Sequence, residues 1–166
     1  RLGPTEMYPN YWLPSPGSGM ETLCRQERVY YGQGLDLQAP EGAETLVQRV
    51  LPFFQRDDLH YCSHFQTPSS GRVSEHPACF RARNIVCFAD PIFREYRQSG
   101  NRAVRGAWRQ VVRDVLGPPA FGAGLPSTVT IHPMRRGDDL LLTLLHYVPV
   151  RKALDIDIID ERGSFA

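Results

Sequence analysis

Three side chains that could bind a metal lie close together in the segment 60–64, with the sequence HYCSH. On a β-strand His60, Cys62 and His64 would share one face, and histidine and cysteine are the usual ligands of zinc. Only three ligands are clustered, however, and the flanking sequence is typical of a loop. We therefore favour a role in loop packing and hydrogen bonding, and we keep the three residues only as candidate metal ligands.

The same segment could supply a thiol nucleophile and its base. A catalytic cysteine needs a base within hydrogen-bond distance and a depressed pKa. Alternation along a strand would place Cys62 and His64 in parallel without directing one side chain at the other. The chain also contains neither G-x-C-x-G nor G-x-S-x-G, which argues against the amidotransferase and α/β-hydrolase forms of this chemistry.

The carboxyl groups of the chain do not single out a glycosidase pair, which requires one acid and one nucleophile or base. Asp90 follows an apolar run, at the strand end where α/β sheets usually bind ligands. We favour the interpretation that Asp90–Pro91 starts a helix, with Asp90 as its cap and Pro91 at the first helical position. No Gly-rich phosphate-binding loop is present. The sequence therefore predicts no catalytic residue and no cofactor.

Positive charge is concentrated on arginine, because the only lysine among 19 basic residues is Lys152. Arg102, Arg105, Arg109 and Arg113 fall on one side of a predicted helix, where they could contact phosphates. The net charge is only +1, and no aromatic residue interrupts that face. We favour a solvated face or a subunit interface, and we keep nucleic-acid binding as the alternative function.

The clearest element is a helix over 102–116, with Asn101 as its N-cap and Gly117 followed by two prolines at its end. Its apolar stripe, centred on Trp108, is expected to cover a sheet that contains the run Ile85–Ala89. That run is almost wholly apolar, as is typical of a strand covered on both faces, and pairs with Ala78–Arg81 in a predicted hairpin. These elements indicate an open α/β domain.

Two other stretches are less regular. Glu41–Phe54 has apolar residues at helical spacing, yet its Leu46–Val50 part could equally be a strand. Near the end of the chain, apolar runs over Thr128–Met134 and Leu140–Val148 flank a turn and predict a second hairpin. Because a lone hairpin is not stable in water, it must pack on the preceding domain or on further strands.

Four cysteines are present, at positions 24, 62, 79 and 87, without a CxxC pair. No export signal and no apolar run long enough to span a membrane accompany them. Reduced thiols, a cytoplasmic location and no membrane partner are therefore the expectation.

Several segments, taken in order, resemble the C-terminal part of family-42-type β-galactosidases and related α-L-fucosidase-like proteins that carry a β-galactosidase trimerisation domain. The segments are YYGQGLDLQAPEGAETLVQRVLPFF, CSHFQTP, NIVCFADPIFREYRQSGN and LPSTVTIHPMRRGDDLLLTLLHYVPVRK. The resemblance spans roughly residues 28–160. It implies a non-catalytic region of a glycoside hydrolase, because the catalytic barrel of such proteins needs about 200 residues or more by itself.

The resemblance also implies a fold and partners. It predicts a partial flavodoxin-like, class I glutamine amidotransferase-like open sheet with flanking helices, followed by a hairpin of an incomplete β-sandwich. We expect an irregular segment 1–27, the second half of a flavodoxin-like trimerisation domain over 28–119, and the start of the sandwich over 126–166. The resemblance also favours a strand, and not a helix, at Glu44–Val50. The expected partners are the rest of a parent hydrolase, which would act on a carbohydrate, and further copies of the chain, with a trimer as the suspected assembly.

Aromatic and arginine residues are enriched at protein interfaces. We therefore expect the loop that contains Tyr11 and Trp12, together with the arginine face of the helix, to contact other chains or domains. The predicted packing and interface residues are Tyr11, Trp12, Arg102, Arg105, Trp108 and Arg109.

Overall fold

The computed structural model describes residues 3–22, 26–121, 125 and 129–146. In these ranges the chain forms a six-stranded antiparallel sheet, two helices and a separate two-stranded hairpin. The elements are β1 (Asn10–Pro14), a 3₁₀ turn (Met20–Thr22), β2 (Arg28–Tyr30), β3 (Glu44–Pro52), β4 (Ser69–Val73), β5 (Cys79–Ala82), β6 (Ile85–Phe88), α1 (Ile92–Ser99), α2 (Arg102–Leu116), β7 (Val129–Arg136) and β8 (Asp139–His146).

Strand β3 is the centre of the larger sheet, whose order is β2-β1-β3-β5-β6. One edge of β3 pairs with β1, so that Trp12 lies opposite Arg49. The other edge is shared: the first half of β3 pairs with β5 and the second half with β4. The N-terminal segment, which the sequence predicts to be irregular, thus supplies a strand next to the central one.

Residues 44–52 form a strand despite their helical spacing, as the resemblance favours. The pairing register shifts once between Thr45 and Val47 and again between Val50 and Pro52. Such irregularities break the strict alternation of a strand. As a result Leu46 and Val47 are both buried, and so are Arg49 and Val50. Buried residues three and four positions apart are also what an amphipathic helix shows, so the pattern resembles that of a helix.

The two helices pack against the sheet and close the core. Val104, Ala107 and Val111 form the buried side of α2. They join one apolar cluster with strand residues that include Trp12, Tyr30 and Val47, and the Trp12 and Tyr30 rings stack at a centroid distance of 5.0 Å. Helix α2 has the predicted bounds, since the Asn101 side chain accepts hydrogen bonds from the backbone N–H groups of residues 103 and 104.

The predicted flavodoxin-like open sheet is wrong. All pairs among the described strands are antiparallel, whereas a flavodoxin-like sheet consists of parallel strands joined by helical crossovers. The apolar run at β6 misled the prediction. It lies at an edge of the sheet, and Ile85 at its start is 69% exposed, so it is not covered on both faces. The β5–β6 hairpin itself is confirmed.

The predicted second hairpin is confirmed as β7–β8, whose register runs from Val129 opposite His146 to Arg136 opposite Asp139. Gly137 in its turn has a φ of 59°, which favours glycine. Residues 147–166, the remainder of the segment predicted to start a β-sandwich, lie outside the described residues. Neither helix in the described part of the chain is long and apolar enough to cross a membrane.

Candidate functional site

A buried charge network lies between the sheet and α1. The fully buried guanidinium of Arg49 donates from Nη2 to Oδ1 of Asp90 at 2.8 Å and from Nη1 to Oδ1 of Asp36 at 2.9 Å. The indole Nε1 of Trp12 donates to Oδ2 of Asp90 at 2.6 Å. Each carboxylate oxygen of Asp90 therefore accepts one hydrogen bond, as a buried charge requires.

Close backbone contact completes this network. Nη2 of Arg49 also donates to the carbonyl of Leu35, and the Leu35 N–H donates to the carbonyl of Ala89. A Cβ atom on Gly34 would lie 1.8 Å from Oδ1 of Asp90, so only glycine allows this approach. The network thus fixes the segment between β2 and β3 against the end of β6.

The network also accounts for Asp90, which the sequence predicts to be a helix cap. Pro91 occupies the N-cap position of α1, and no side chain caps that helix. Burial raises the pKa of the Asp90 carboxyl, while the charge of Arg49 and the hydrogen bonds from Trp12 and Arg49 oppose that rise. We interpret the arrangement as structural, because both terminal nitrogens of Arg49 and both oxygens of the Asp90 carboxylate are engaged within it.

A polar cleft of about 680 Å³ adjoins the network. One wall is the segment 3–7, and the other consists of Arg49 and Leu51 on β3 with residues 72–76 from the end of β4 onward. The cleft is the place where the network meets the surface, since Asp36 and Arg49 belong to both.

The candidate metal ligands are not brought together. Nδ1 of His60 lies 3.0 Å from Oδ1 of Asp57, whereas the thiol of Cys62 contacts the backbone carbonyls of His64 and Gln66. Among the described residues no group of three or more His, Cys, Asp or Glu side chains could hold a metal ion. The contacts of this segment are those of loop packing.

The predicted interface residues fall into two groups. Trp12 is buried in the core of its own chain, and the Tyr11 hydroxyl donates to the carbonyl of Thr67 at 2.5 Å. Both residues lie on β1 and hold the larger sheet together. Whether Tyr11 also reaches another chain stays a prediction.

The second group lies on the outer side of α2. Trp108 is 40% exposed at the margin of the buried stripe, and its ring meets Phe93 edge-on at 5.0 Å. Arg102 and Arg109 are exposed and Arg105 is half-buried. The prediction that Trp108 is the centre of the buried stripe is therefore wrong, and Ala107 is the centre. Phe93 and Trp108 instead form an aromatic pair that is exposed beside the arginines of α2.

Arg49 is the site residue that the sequence prediction missed. The signal was an arginine inside the apolar run TLVQRVL, because a charge at a buried strand position requires a buried partner. Its acidic partners lie 13 and 41 residues away in the sequence, so no local pattern indicates them.

No family model and no curated protein matches the chain. Among solved structures, the α-L-fucosidase isoenzyme 2 from Paenibacillus thiaminolyticus is similar, with a TM-score of 0.77 and 23% sequence identity. The likeness covers 96% of this chain and 24% of that one, so the chain spans about a quarter of the length of that structure. At this identity the likeness concerns the fold alone: the chain folds like one part of a much longer fucosidase chain.

Proposed function

We propose that the chain is a non-catalytic packing and assembly region of a larger glycoside hydrolase. The likeness to one quarter of an α-L-fucosidase chain supports this proposal. The sequence resemblance to the C-terminal part of β-galactosidases and fucosidase-like proteins points to the same class of enzyme, the glycoside hydrolases. The parent protein would act on a carbohydrate, through residues elsewhere in that protein.

The observation that carries the proposal is the exposure of the β7–β8 hairpin. Leu140, Leu142 and Leu144 lie on one face, and Leu141 and Leu145 lie on the other, each more than two-fifths exposed. The main contacts of β7 and β8 within the described elements are with each other. Since a two-stranded hairpin is marginal in water, these leucines indicate that a further protein surface covers the hairpin.

We propose that a second copy of the chain covers the face formed by Leu142 and Leu144. Ile131 and Pro133 lie opposite these leucines on β7, so this face is the more apolar of the two. Each of the two leucines is only about half exposed, so covering it would contribute roughly 1 kcal/mol to association. The other face is then available to the rest of a longer polypeptide.

The test is the mass of the purified chain in solution, measured by light scattering over a concentration series. We expect a dimer or higher assembly, and Leu142→Glu should shift it to the 18.8 kDa monomer. Thr143→Glu, on the opposite face of the same strand, is the matched control and should leave the mass unchanged. A wild-type chain that stays monomeric at every concentration would contradict self-association.

A further inference from the structure

An apolar groove lies on the outer side of the two helices, on both sides of the Trp108 ring. On one side, a cavity of about 540 Å³ is lined by Trp108, Val112 and Leu116 of α2 and by Pro118 and Pro119 after it. On the other side, a cavity of about 380 Å³ lies between Trp108 and the start of α1. The two cavities meet at Trp108, and together they form what we call the Trp108 groove.

The apolar side chains of the Trp108 groove are strongly exposed. Phe93 is 62% exposed, Trp108 is 40% exposed and Leu116 is 76% exposed. Apolar surface of this extent favours a covering partner. Large apolar side chains are exposed elsewhere too, so exposure alone does not identify the occupant.

The charge around the Trp108 groove narrows the choice of occupant. Arg94, Arg109 and Arg113 line the groove and are exposed. None of the three forms an ion pair with another described residue. The carboxylate in the lining, Asp90, is already paired with the buried Arg49. The groove therefore presents unpaired positive charge beside apolar surface, and it fits an occupant that is both acidic and apolar.

The other aromatic cavity of the described surface has a different charge. It lies beside the loop 55–65, where Tyr61 and Phe65 are exposed, and its lining includes Asp57 and Asp58. An acidic occupant would be repelled by these two carboxylates. The combination of exposed apolar side chains and unpaired arginines thus separates the Trp108 groove from this second aromatic surface.

The chain itself contains a segment of the required composition. Residues 154–161, with the sequence LDIDIIDE, comprise four acidic and four apolar residues. They lie outside the described residues. Their acidic side chains could pair with the arginines of the groove, while leucine and isoleucine could cover its aromatic rings.

The path of the chain brings this segment within reach of the Trp108 groove. Ala120 lines the groove, and residues 121–128 lead from it to Val129, the first residue of β7. Val129 lies opposite His146, so the hairpin returns the chain to the end at which it began. Residues 147–153 can span up to about 25 Å, nearly the reach of about 28 Å of residues 121–128. A tether of this length gives the segment a high effective concentration near the groove.

We propose that the acidic segment 154–161 binds the Trp108 groove of its own chain. Its apolar side chains cover Phe93, Trp108 and Leu116, and its carboxylates pair with Arg109 and Arg113. The proposal concerns a surface other than the hairpin face that is proposed for self-association. It assigns an occupant to the arginine side of α2.

The test is the quenching of tryptophan fluorescence by acrylamide in the full chain. Trp12 is only 4% exposed, so the quencher reports mainly on Trp108. Replacing Ile156 and Ile158 together by serine should uncover the ring and raise the quenching constant severalfold. Phe165→Ser, at an apolar residue after the segment, is the control and should quench as the wild type does. Equal quenching of the double variant and the wild type would overturn the proposal.

A charge exchange tests the ionic part of the contact. Arg109→Glu with Arg113→Glu should raise the quenching constant, because the groove would then repel the segment. Adding Asp155→Lys and Asp157→Lys should restore the protection of Trp108, which a merely local effect of the arginine substitutions on the ring would not do. In the wild type, salt should also raise the constant, since it screens exposed charges, while acrylamide itself is neutral. Failure of the exchange to restore protection would overturn the assigned ion pairs.

Protein concentration distinguishes binding within one chain from binding between copies. Binding within the chain predicts a quenching constant that does not change on dilution, and one that Leu142→Glu in the hairpin leaves unaltered. Protection of Trp108 that disappears on dilution would place the segment of a second copy in the groove and overturn the proposal. A monomeric chain with a protected Trp108 would contradict self-association through the hairpin and support the groove contact, so the two proposals fail separately.

Discussion

At the scale of single residues, Arg49 joins three segments that are distant in the sequence. Its guanidinium contacts Asp36 after β2, Asp90 after β6 and the carbonyl of Leu35. A buried ion pair contributes little net stability when it is compared with an apolar replacement, yet the loss of one partner leaves an uncompensated buried charge. The network is therefore best tested by removing one partner at a time.

Replacing Arg49 by methionine should lower the free energy of unfolding by about 3–5 kcal/mol at neutral pH, because the Asp90 carboxylate stays buried without its cation. Urea denaturation followed by tryptophan fluorescence measures this change. Arg72→Met, at an exposed arginine of the same cleft, is the control and should change stability by less than about 0.5 kcal/mol. Equal effects of the two substitutions would show that the buried network does not stabilise the fold.

Gly34 tests the geometry of the same network. An added Cβ would clash with Oδ1 of Asp90, and overpacking of this kind costs about 1–3 kcal/mol. Gly34→Ala should therefore lower the melting temperature. Gly3→Ala, where no other atom lies within 4 Å of the added carbon, should leave it unchanged. A Gly34→Ala variant as stable as Gly3→Ala would mean that the loop does not approach Asp90 so closely.

The rate at which Cys79 and Cys87 of the β5–β6 hairpin react with an alkylating reagent tests how deeply each thiol is buried. Burial raises the pKa of the Cys79 thiol strongly and raises that of Cys87, so both stay protonated at pH 8, and the thiolate is the reactive form. We expect iodoacetamide to modify Cys87 slowly and Cys79 only after unfolding, as located by peptide mass mapping. In denaturant both should react at similar rates. Rapid modification of Cys79 in the folded chain would contradict its position in the core.

At the scale of elements, the sequence predicts those features that depend only on neighbouring residues, such as helix ends and hairpins. Helix α2 was predicted at its observed bounds because a cap such as Asn101 and a stop such as Gly117 depend on neighbouring residues. The two hairpins were predicted for the same reason. Strand β3 could not be separated from a helix by pattern alone, since its register shifts imitate helical spacing.

The order of the strands in the sheet and the partners within the buried charge network could not be predicted from local sequence patterns. An apolar strand such as Ile85–Phe88 suits both a central parallel strand and an antiparallel edge strand, and only the path of the whole chain decides between them. The same holds for Arg49, whose unusual position the sequence reveals but whose partners it does not. The structure thus corrected the relation between elements more than the elements themselves.

The cap of α2 allows a test at this scale. Asn101→Ala removes the oxygen that accepts hydrogen bonds from the backbone N–H groups of Ala103 and Val104, and it should cost about 1 kcal/mol in stability. Asn101→Asp keeps an acceptor at the same place and should remain close to the wild type. Urea denaturation of the three proteins decides the matter, and an alanine variant as stable as the other two would contradict the cap.

At the scale of the whole molecule, the described surface exposes large apolar side chains in several places, of which two bear on assembly. One is the β7–β8 hairpin, and the other is the aromatic pair of Phe93 and Trp108 beside α2. Exposed apolar patches of this kind commonly mark contacts with other proteins. Both are consistent with a chain that functions as part of a larger assembly.

The two tryptophans of the chain distinguish folding from assembly. Trp12 is buried and hydrogen-bonded to Asp90, so Trp12→Ala should lower the free energy of unfolding by about 3–5 kcal/mol. Trp108 is only partly covered within the chain, so Trp108→Ala should cost clearly less in the monomer. If the aromatic pair contacts another copy, the same variant should also shift the mass distribution in solution toward the monomer. A Trp108→Ala protein that is as destabilised as Trp12→Ala would place Trp108 in the core. A Trp108→Ala protein that associates as the wild type does would exclude the aromatic pair from the interface, and the hairpin would then be the surface that drives assembly.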